Sequence, residues 1–303
     1  MNAPSHTPAP AIAQSLCYLN GDYLRLCDAK VSVMDRGFIF GDGVYEVLPA
    51  YEGRIFRFEH HIARLNRSLA ELRIPNPLDS AQWLGIARHL IEALISSTGS
   101  VHQLIYIQVT RGVAPRDHVM PVGLQPTVLV TASEMKLASS EQRKHGVACV
   151  SAGDFRWQKA HIKSTSLLGS VLARQISADV GAVETVMFRD GFLSEAAASN
   201  VWVVRHGVVM GTPKDHLVLE GIRYGLIEDI CREEGIPFEL RRISREEVLQ
   251  ADELLLSSAT KEVLPVTLLD GEPVGHGEQQ GRPGPIYQRL FAGYQRAKQA
   301  QCI

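Results

Sequence analysis

The sequence predicts a two-domain α+β protein, and three observations carry that expectation. At 303 residues the chain exceeds one ordinary hydrophobic core. Strand-like and helix-like hydrophobic periods interleave without the strict alternation of a doubly wound sheet. A polar, weakly patterned stretch, "SEMKLASSEQRKHG", separates two such mixed regions. Residues 16–135 therefore read as a smaller N-terminal α/β domain, 136–144 as an interdomain linker and 145–303 as a larger C-terminal α/β domain. Residues 1–15, rich in Pro, Ala and Ser, read as a flexible tail.

Each element has a local cause. In "CYLNGDYLRL", Asn20-Gly21 between apolar flanks signals a hairpin, and "VYEVLPAYEGRIFRF" reads as a second one. Over 59–74, Ile62, Leu65, Leu69 and Leu72 fall on one helical face, as do Trp83, Ile86, Leu90 and Leu94 over 80–97. "QLIYIQVTRG" and "PTVLVTA" are expected strands of the same first sheet. In the second domain "GVACVSA" reads as a strand and 166–182 as a helix. Hairpins turn at Asp190-Gly191 and His206-Gly207. A helix is expected from just after Gly221 to Gly235, a natural C-terminal stop. Ser244 with Glu247 matches a capping box. "ELLLSSA" and "VTLLDGEPV" are further strands, and "GPIYQRLFAGYQRAKQA" is a closing helix.

Composition narrows the function. A net charge of -2 supplies no basic footprint for nucleic acid, and no run approaches the roughly 18 apolar residues of a membrane helix. The five cysteines are scattered without a CxxC pair, which suggests neither a disulfide framework nor a zinc site and fits a reducing cytoplasm. Gly41-Asp42-Gly43 lacks the third glycine of a dinucleotide loop and precedes a strand. His60-His61 and His118 have no acidic residue at ligand spacing, so no metal is expected. GxSxG is absent. A small-molecule partner is the default that remains.

The polar residues left over lie in "DRGFIFGDGVYEV", "EHHIARL", "VTRGVAPRDH", "HIKSTSLLGSVLAR", "FLSEAAASNVW" and "LEGIRYGLIED". In this order and spacing, from about residue 17 to 295, the chain resembles the class IV aminotransferases, the fold-type IV pyridoxal phosphate enzymes. The resemblance implies two domains with the cofactor between them, in a homodimer. Lys163 would be the Schiff-base lysine and proton carrier. Glu195 would pair with the pyridine nitrogen and Leu219 would pack on the ring. Arg64 would hold the phosphate together with the backbone N–H groups of Ile222 and Arg223. Asn200 matches an asparagine of the same segment. Physically the set is coherent, because such a cofactor needs a nucleophilic amine, a carboxylate and an anion site built from arginine or a helix N-terminus.

Within the family "APRDH" resembles the substrate-carboxylate trap of the D-amino acid aminotransferases, with Arg116 and His118 in those roles and Tyr45 completing the trap. Branched-chain enzymes resemble "GVFEG" where this chain has "GVYEV". The expected reaction passes an amino group from a D-amino acid to a 2-oxo acid by a ping-pong route. The alternatives are a branched-chain L-amino acid aminotransferase, an (R)-amine transaminase, an aminodeoxychorismate lyase, or a cofactor-binding protein without turnover. Four positions depart from the pattern. Arg223 and Ala259 stand where phosphate-binding threonines are expected, Ala198 replaces a usual serine, and Pro49 replaces a common lysine. Arg223 is expected to compensate with positive charge toward the phosphate.

Overall fold

The structure, a computed structural model, describes residues 14–303. Two compact units emerge. One comprises the residues up to Met135 together with Lys163–Ser166 and Cys302–Ile303; the other comprises Lys136–Ile162 and Leu167–Gln301. The division is not a single cut in the chain, because two short segments from beyond residue 135 pair with strands of the first unit.

The first unit is built on a six-stranded sheet of order β2-β1-β6-β5-β3-β4. Its strands are β1 Leu16–Leu19, β2 Asp22–Arg25, β3 Gly43–Tyr51, β4 Arg54–Ile55, β5 His102–Thr110 and β6 Thr127–Glu134. Every pairing is antiparallel. The expected hairpins turn at Asn20-Gly21 and Glu52-Gly53, where positive φ matches the twist of tight turns. The helix Phe58–Glu71 buries Ile62, Leu65 and Leu69, and the helix Ser80–Thr98 buries Trp83, Ile86, Leu90 and Leu94. Each such side chain contributes on the order of 1.5–3 kcal/mol on burial.

The second unit carries a nine-stranded mixed sheet of order β12-β11-β10-β13-β14-β7-β8-β9, with β15 beside β14. The strands are β7 Val147–Gly153, β8 Glu184–Arg189, β9 Phe192–Ala196, β10 Asn200–Arg205, β11 Val208–Gly211, β12 Phe238–Leu240, β13 Glu253–Ser258, β14 Glu262–Leu269 and β15 Glu272–Pro273. Val186, Val203, Leu254, Leu256 and Leu264 lie in its core. Helices at Leu168–Asp179, Arg223–Glu233 and Pro285–Gln301 fall where periodicity placed them, and Ser244 with Glu247 forms the anticipated capping box.

Three local readings change. The stretch read as a linker over 136–144 contains the helix Ser140–His145, started by a Ser139/Gln142 capping box. "DRGFIF", read as a polar motif, includes a short helix Arg36–Phe40 whose first turn is capped by Asp35. Residues 1–13 of the expected tail lie outside the described residues. The Ser15 carbonyl accepts the Leu26 N–H at 2.8 Å, so the tail's last residue belongs to the strand-bearing region.

Candidate active site

In the first unit, Lys163 is placed by backbone pairing. Val44 and Ser164 form an antiparallel bridge, the Tyr45 N–H donates to the Lys163 carbonyl at 3.0 Å, and the Thr165 N–H donates to the Gly43 carbonyl at 2.9 Å. The Lys163 N–H donates to Ser68 Oγ at 3.2 Å. Gly43 is required by this close approach: a Cβ there would lie 2.8 Å from the Val109 carbonyl oxygen and 3.2 Å from Thr165 Oγ1. The pairing sets the half-buried lysine with Nζ 4.1 Å above the Tyr45 ring, a favourable place for a cation. Tyr106 sits 5.8 Å from Tyr45, centroid to centroid. Burial, and then Tyr45, pushes the Tyr106 hydroxyl up to about 12, so it remains protonated.

Strand alternation turns Glu46 to the opposite face from Tyr45. There it meets the helix Phe58–Glu71. Arg64 grips it with Nε on Oε1 at 2.7 Å and Nη2 on Oε2 at 2.9 Å, and His61 Nδ1 lies 2.8 Å from the same Oε2. Burial pushes the Glu46 carboxyl up, but Arg64 and then His61 overcome this and hold it below its ordinary value. Two of the Arg64 nitrogens, expected on a phosphate, are thus engaged by Glu46.

In the second unit a buried carboxylate has its own set of donors. Glu195 is the penultimate residue of β9 and is 5% exposed. Arg156 Nη1 donates to Oε1 at 2.7 Å, while Asn200 Nδ2 and the Leu219 N–H both donate to Oε2 at 3.2 Å. Asn200 also donates to the Leu219 carbonyl at 2.9 Å. The structure therefore brings Glu195, Asn200 and Leu219 together. Gly221 fits only without a side chain, since a Cβ would lie 2.1 Å from Asn200 Oδ1.

Immediately beyond it, Ile222 caps the helix Arg223–Glu233. This N-terminus is held by Tyr224, whose ring lies 4.7 Å from that of Trp202 and whose hydroxyl is 2.8 Å from Thr212 Oγ1. The Arg223 side chain turns inward: it is 3% exposed and its Nε donates to the Tyr294 hydroxyl at 3.2 Å. Its backbone N–H at the helix start is a further group that suits the anion role.

Sequence reasoning missed Arg156, Asp154 and Arg189. Asp154 accepts Arg156 Nε at 3.0 Å and Arg189 Nη2 at 3.1 Å, so a buried file of alternating charge ends on Glu195. Burial alone would lower Arg156, but Asp154 and Glu195 hold its charge more firmly than usual. For Glu195 burial wins: its carboxyl lies above the ordinary value despite Arg156 and the hydrogen bonds. No local motif marks these partners, which meet across β7, β8 and β9. Also missed was Glu184, fully buried, which accepts Ser199 Oγ at 2.8 Å, the Ala198 N–H at 3.1 Å and Lys261 Nζ at 3.2 Å. It thereby ties the turn containing Ala198 to the turn containing Ala259.

Arg116 and His118 sit on an exposed loop of the first unit. Both lie against Phe40, with the Arg116 guanidinium 5.5 Å and the His118 ring 5.5 Å from its centroid. Among the described residues no hydrogen bond, ion pair or ring contact joins either of them to Tyr45 or Lys163.

The donor set fits a pyridoxal-type cofactor. Lysine suits an aldehyde, a helix N-terminus suits a phosphate, and a buried carboxylate short of positive charge suits a protonated ring nitrogen. The fold and this set define a class of lysine-dependent transferases, and comparison with known proteins places the chain within it. The model of the family "Amino-transferase class IV" matches residues 43–269, and the chain belongs to that family. It is 36% identical to a D-alanine aminotransferase of Bacillus licheniformis over 91% of this chain and 94% of that one. A D-alanine aminotransferase of Staphylococcus epidermidis is 35% identical over 94% and 99%. Among solved structures, a branched-chain aminotransferase from the thermophilic archaeon Thermoproteus uzoniensis, with norvaline, superposes with a TM-score of 0.81. It is 25% identical and the match covers 94% of this chain and 95% of that one.

Proposed function

We propose that the protein is a D-amino acid aminotransferase of the D-alanine type, using pyridoxal 5′-phosphate to pass an amino group from a D-amino acid to a 2-oxo acid. The observation that carries the reading is Glu195: a buried carboxylate with an arginine, an amide and a backbone N–H already on it, yet still short of positive charge. Relatives that cover more than nine-tenths of the chain are D-alanine aminotransferases, which supports the substrate class.

When bound, the cofactor supplies an aldehyde carbon for the amino group and a ring that accepts the electrons released at Cα. The Glu195 carboxylate would keep the ring nitrogen protonated, with Asn200 and the Leu219 N–H holding the carboxylate in place, and Leu219 would pack on the ring. The N–H groups of Ile222 and Arg223 at the helix start would hold the phosphate, together with the turn at Ala259 and with Arg64. Lys163 Nζ would move a proton from Cα of the amino acid to the aldehyde carbon that the cofactor supplies, and in the opposite direction when the 2-oxo acid is aminated. Tyr45, beneath Nζ, confines that amine to one path.

Arg116 and His118 bind the substrate carboxylate in the active site of a second copy, which accounts for their distance from contact with Tyr45. A homodimer is also supported by the helix Leu168–Asp179, which exposes Leu168, Val171 and Leu172 at i, i+3 and i+4. Five free thiols fit a cytoplasmic protein.

The test is an absorbance spectrum of the protein with pyridoxal phosphate, followed by D-alanine and, separately, L-leucine. Conversion of the cofactor band by D-alanine alone is the expected outcome. Conversion by L-leucine alone would assign the chain to the branched-chain enzymes, and absence of a cofactor band would end the reading.

A further inference from the structure

We propose that Arg36 is the positioning residue of the substrate-carboxylate pair, setting the places of Arg116 and His118 through the Asp117 carbonyl and the Phe40 ring. The inference rests on the reading of Arg116 and His118 given above and adds a residue to it.

Residues 115–120 are exposed throughout. Among the described residues, one hydrogen bond reaches them from outside the loop: Arg36 Nη1 donates to the Asp117 carbonyl at 2.6 Å. That carbonyl belongs to the residue between the two trap side chains, so the bond anchors the loop at the centre of the pair. The Arg36 backbone N–H also donates to the Gly112 carbonyl at 2.9 Å, near the loop's start. Phe40 completes the seat, with the Arg36 guanidinium 4.8 Å from its centroid and Arg116 and His118 at 5.5 Å.

Arg36 is itself held rigidly. It is 3% exposed, and its Nε donates to Asp42 Oδ2 at 2.7 Å. Arg111 takes the same carboxylate with Nε at 2.7 Å and Nη2 at 3.0 Å. The Leu72 and Arg73 carbonyls fix Arg111 in turn, at 2.7 and 3.3 Å. Asp35 caps the short helix at Gly37 and accepts the Thr127 hydroxyl at 2.6 Å. Two guanidiniums share one carboxylate, which leaves one positive charge in excess, and Arg36 directs its other edge at a carbonyl oxygen.

The task suits arginine. A planar fork can hold a carboxylate and a carbonyl in fixed directions, whereas an ammonium is a point charge on a flexible stem. Precision matters at this place, because a displacement of about 1 Å in a group that orients the substrate costs on the order of 10²-fold in rate.

The test compares two carbonyl reagents on the holoenzyme, each followed through the cofactor absorbance. Aminooxyacetate carries a carboxylate, while O-methylhydroxylamine presents the same aminooxy nitrogen without one. The ratio of their second-order rates reads carboxylate recognition apart from turnover. Arg36→Met and Arg36→Lys are expected to lower that ratio by about tenfold, with the O-methylhydroxylamine rate and the affinity for pyridoxal phosphate within about twofold of wild type. Arg116→Ala calibrates the assay. If Arg116→Ala lowers the ratio and neither Arg36 variant does, the positioning role is overturned and the trap stands. If Arg116→Ala leaves the ratio unchanged, the trap itself falls and the proposal with it. Equal loss of both rates, or loss of cofactor binding, would make Arg36 a merely structural residue and overturn the proposal. Should Arg36→Met fail to fold, Arg36→Lys, which keeps a charge against Asp42, decides alone.

Discussion

Glu46 and Glu195 are both buried glutamates paired with arginine, yet their carboxyls shift in opposite directions. The difference lies in how much positive charge each receives. Glu46 has both oxygens on the fork of Arg64 and a histidine nitrogen besides. Glu195 receives a single nitrogen from Arg156, a guanidinium it shares with Asp154, and its other donors are neutral. A saturated carboxylate holds a sheet to a helix, whereas an undersaturated one keeps a place for an incoming cation. The contrast separates a carboxylate that fixes an arginine fork from one left to meet a further cation, with the same residue types.

The comparison can be broken most severely by swapping in neutral side chains. Glu195→Gln should lower kcat for D-alanine by about 10²–10⁴-fold, measured with saturating pyridoxal phosphate. A comparable loss of folding stability instead would erase the distinction. Glu46→Gln should do the reverse, removing about 3–5 kcal/mol of stability because Arg64 is left buried without its partner, as read by urea unfolding of the cofactor-free protein. A Glu46 variant of wild-type stability would show that the pair is not structural.

Arg223→Met sharpens the same lesson at a third buried charge. With its side chain on Tyr294, the substitution should cost about 1–2 kcal/mol of stability and leave the dissociation constant for pyridoxal phosphate within about twofold. Weakened cofactor binding would return Arg223 to the phosphate site.

The smallest effect is in pH dependence, on the order of 1 kcal/mol for each unit of displacement. The Glu46 carboxyl is depressed on folding, so its contribution is complete above the unfolded value of about 4.3 and disappears as pH falls through the folded value. The Glu195 carboxyl is raised, so its contribution is present below that unfolded value and disappears as pH rises through the folded one. Melting of the cofactor-free protein should therefore show the advantage of wild type over Glu46→Gln growing from pH 3 to 5. Wild type measured against Glu195→Gln should instead decline as pH rises above the unfolded value. Parallel slopes would contradict the opposite charge balances.

Much of the fold was readable because its causes are local. Asn20-Gly21 and Asp190-Gly191 turn hairpins through their tolerance of positive φ, and the apolar spacing of Ile62, Leu65 and Leu69 needs only a helix to align it. The helix Ser140–His145 escaped notice because it has no buried residue and hence no hydrophobic period. Its capping box was the available signal. Lys163 and Tyr45 could be singled out by motif, while the 4.1 Å between Nζ and ring depends on a bridge joining residues 44 and 164.

By itself the sequence determined the α+β character, the turns and the helix faces, because propensity and periodicity act over a few neighbouring residues, and its resemblance to the class IV aminotransferases pointed to the residues able to perform transamination. Only the tertiary structure decided that Lys163–Ser166 pairs with β3, that Arg223 turns to Tyr294, and that Glu46 is saturated with charge while Glu195 is not. Those outcomes depend on partners remote along the chain, and electrostatic interaction in a buried, weakly polarisable setting follows distance in space.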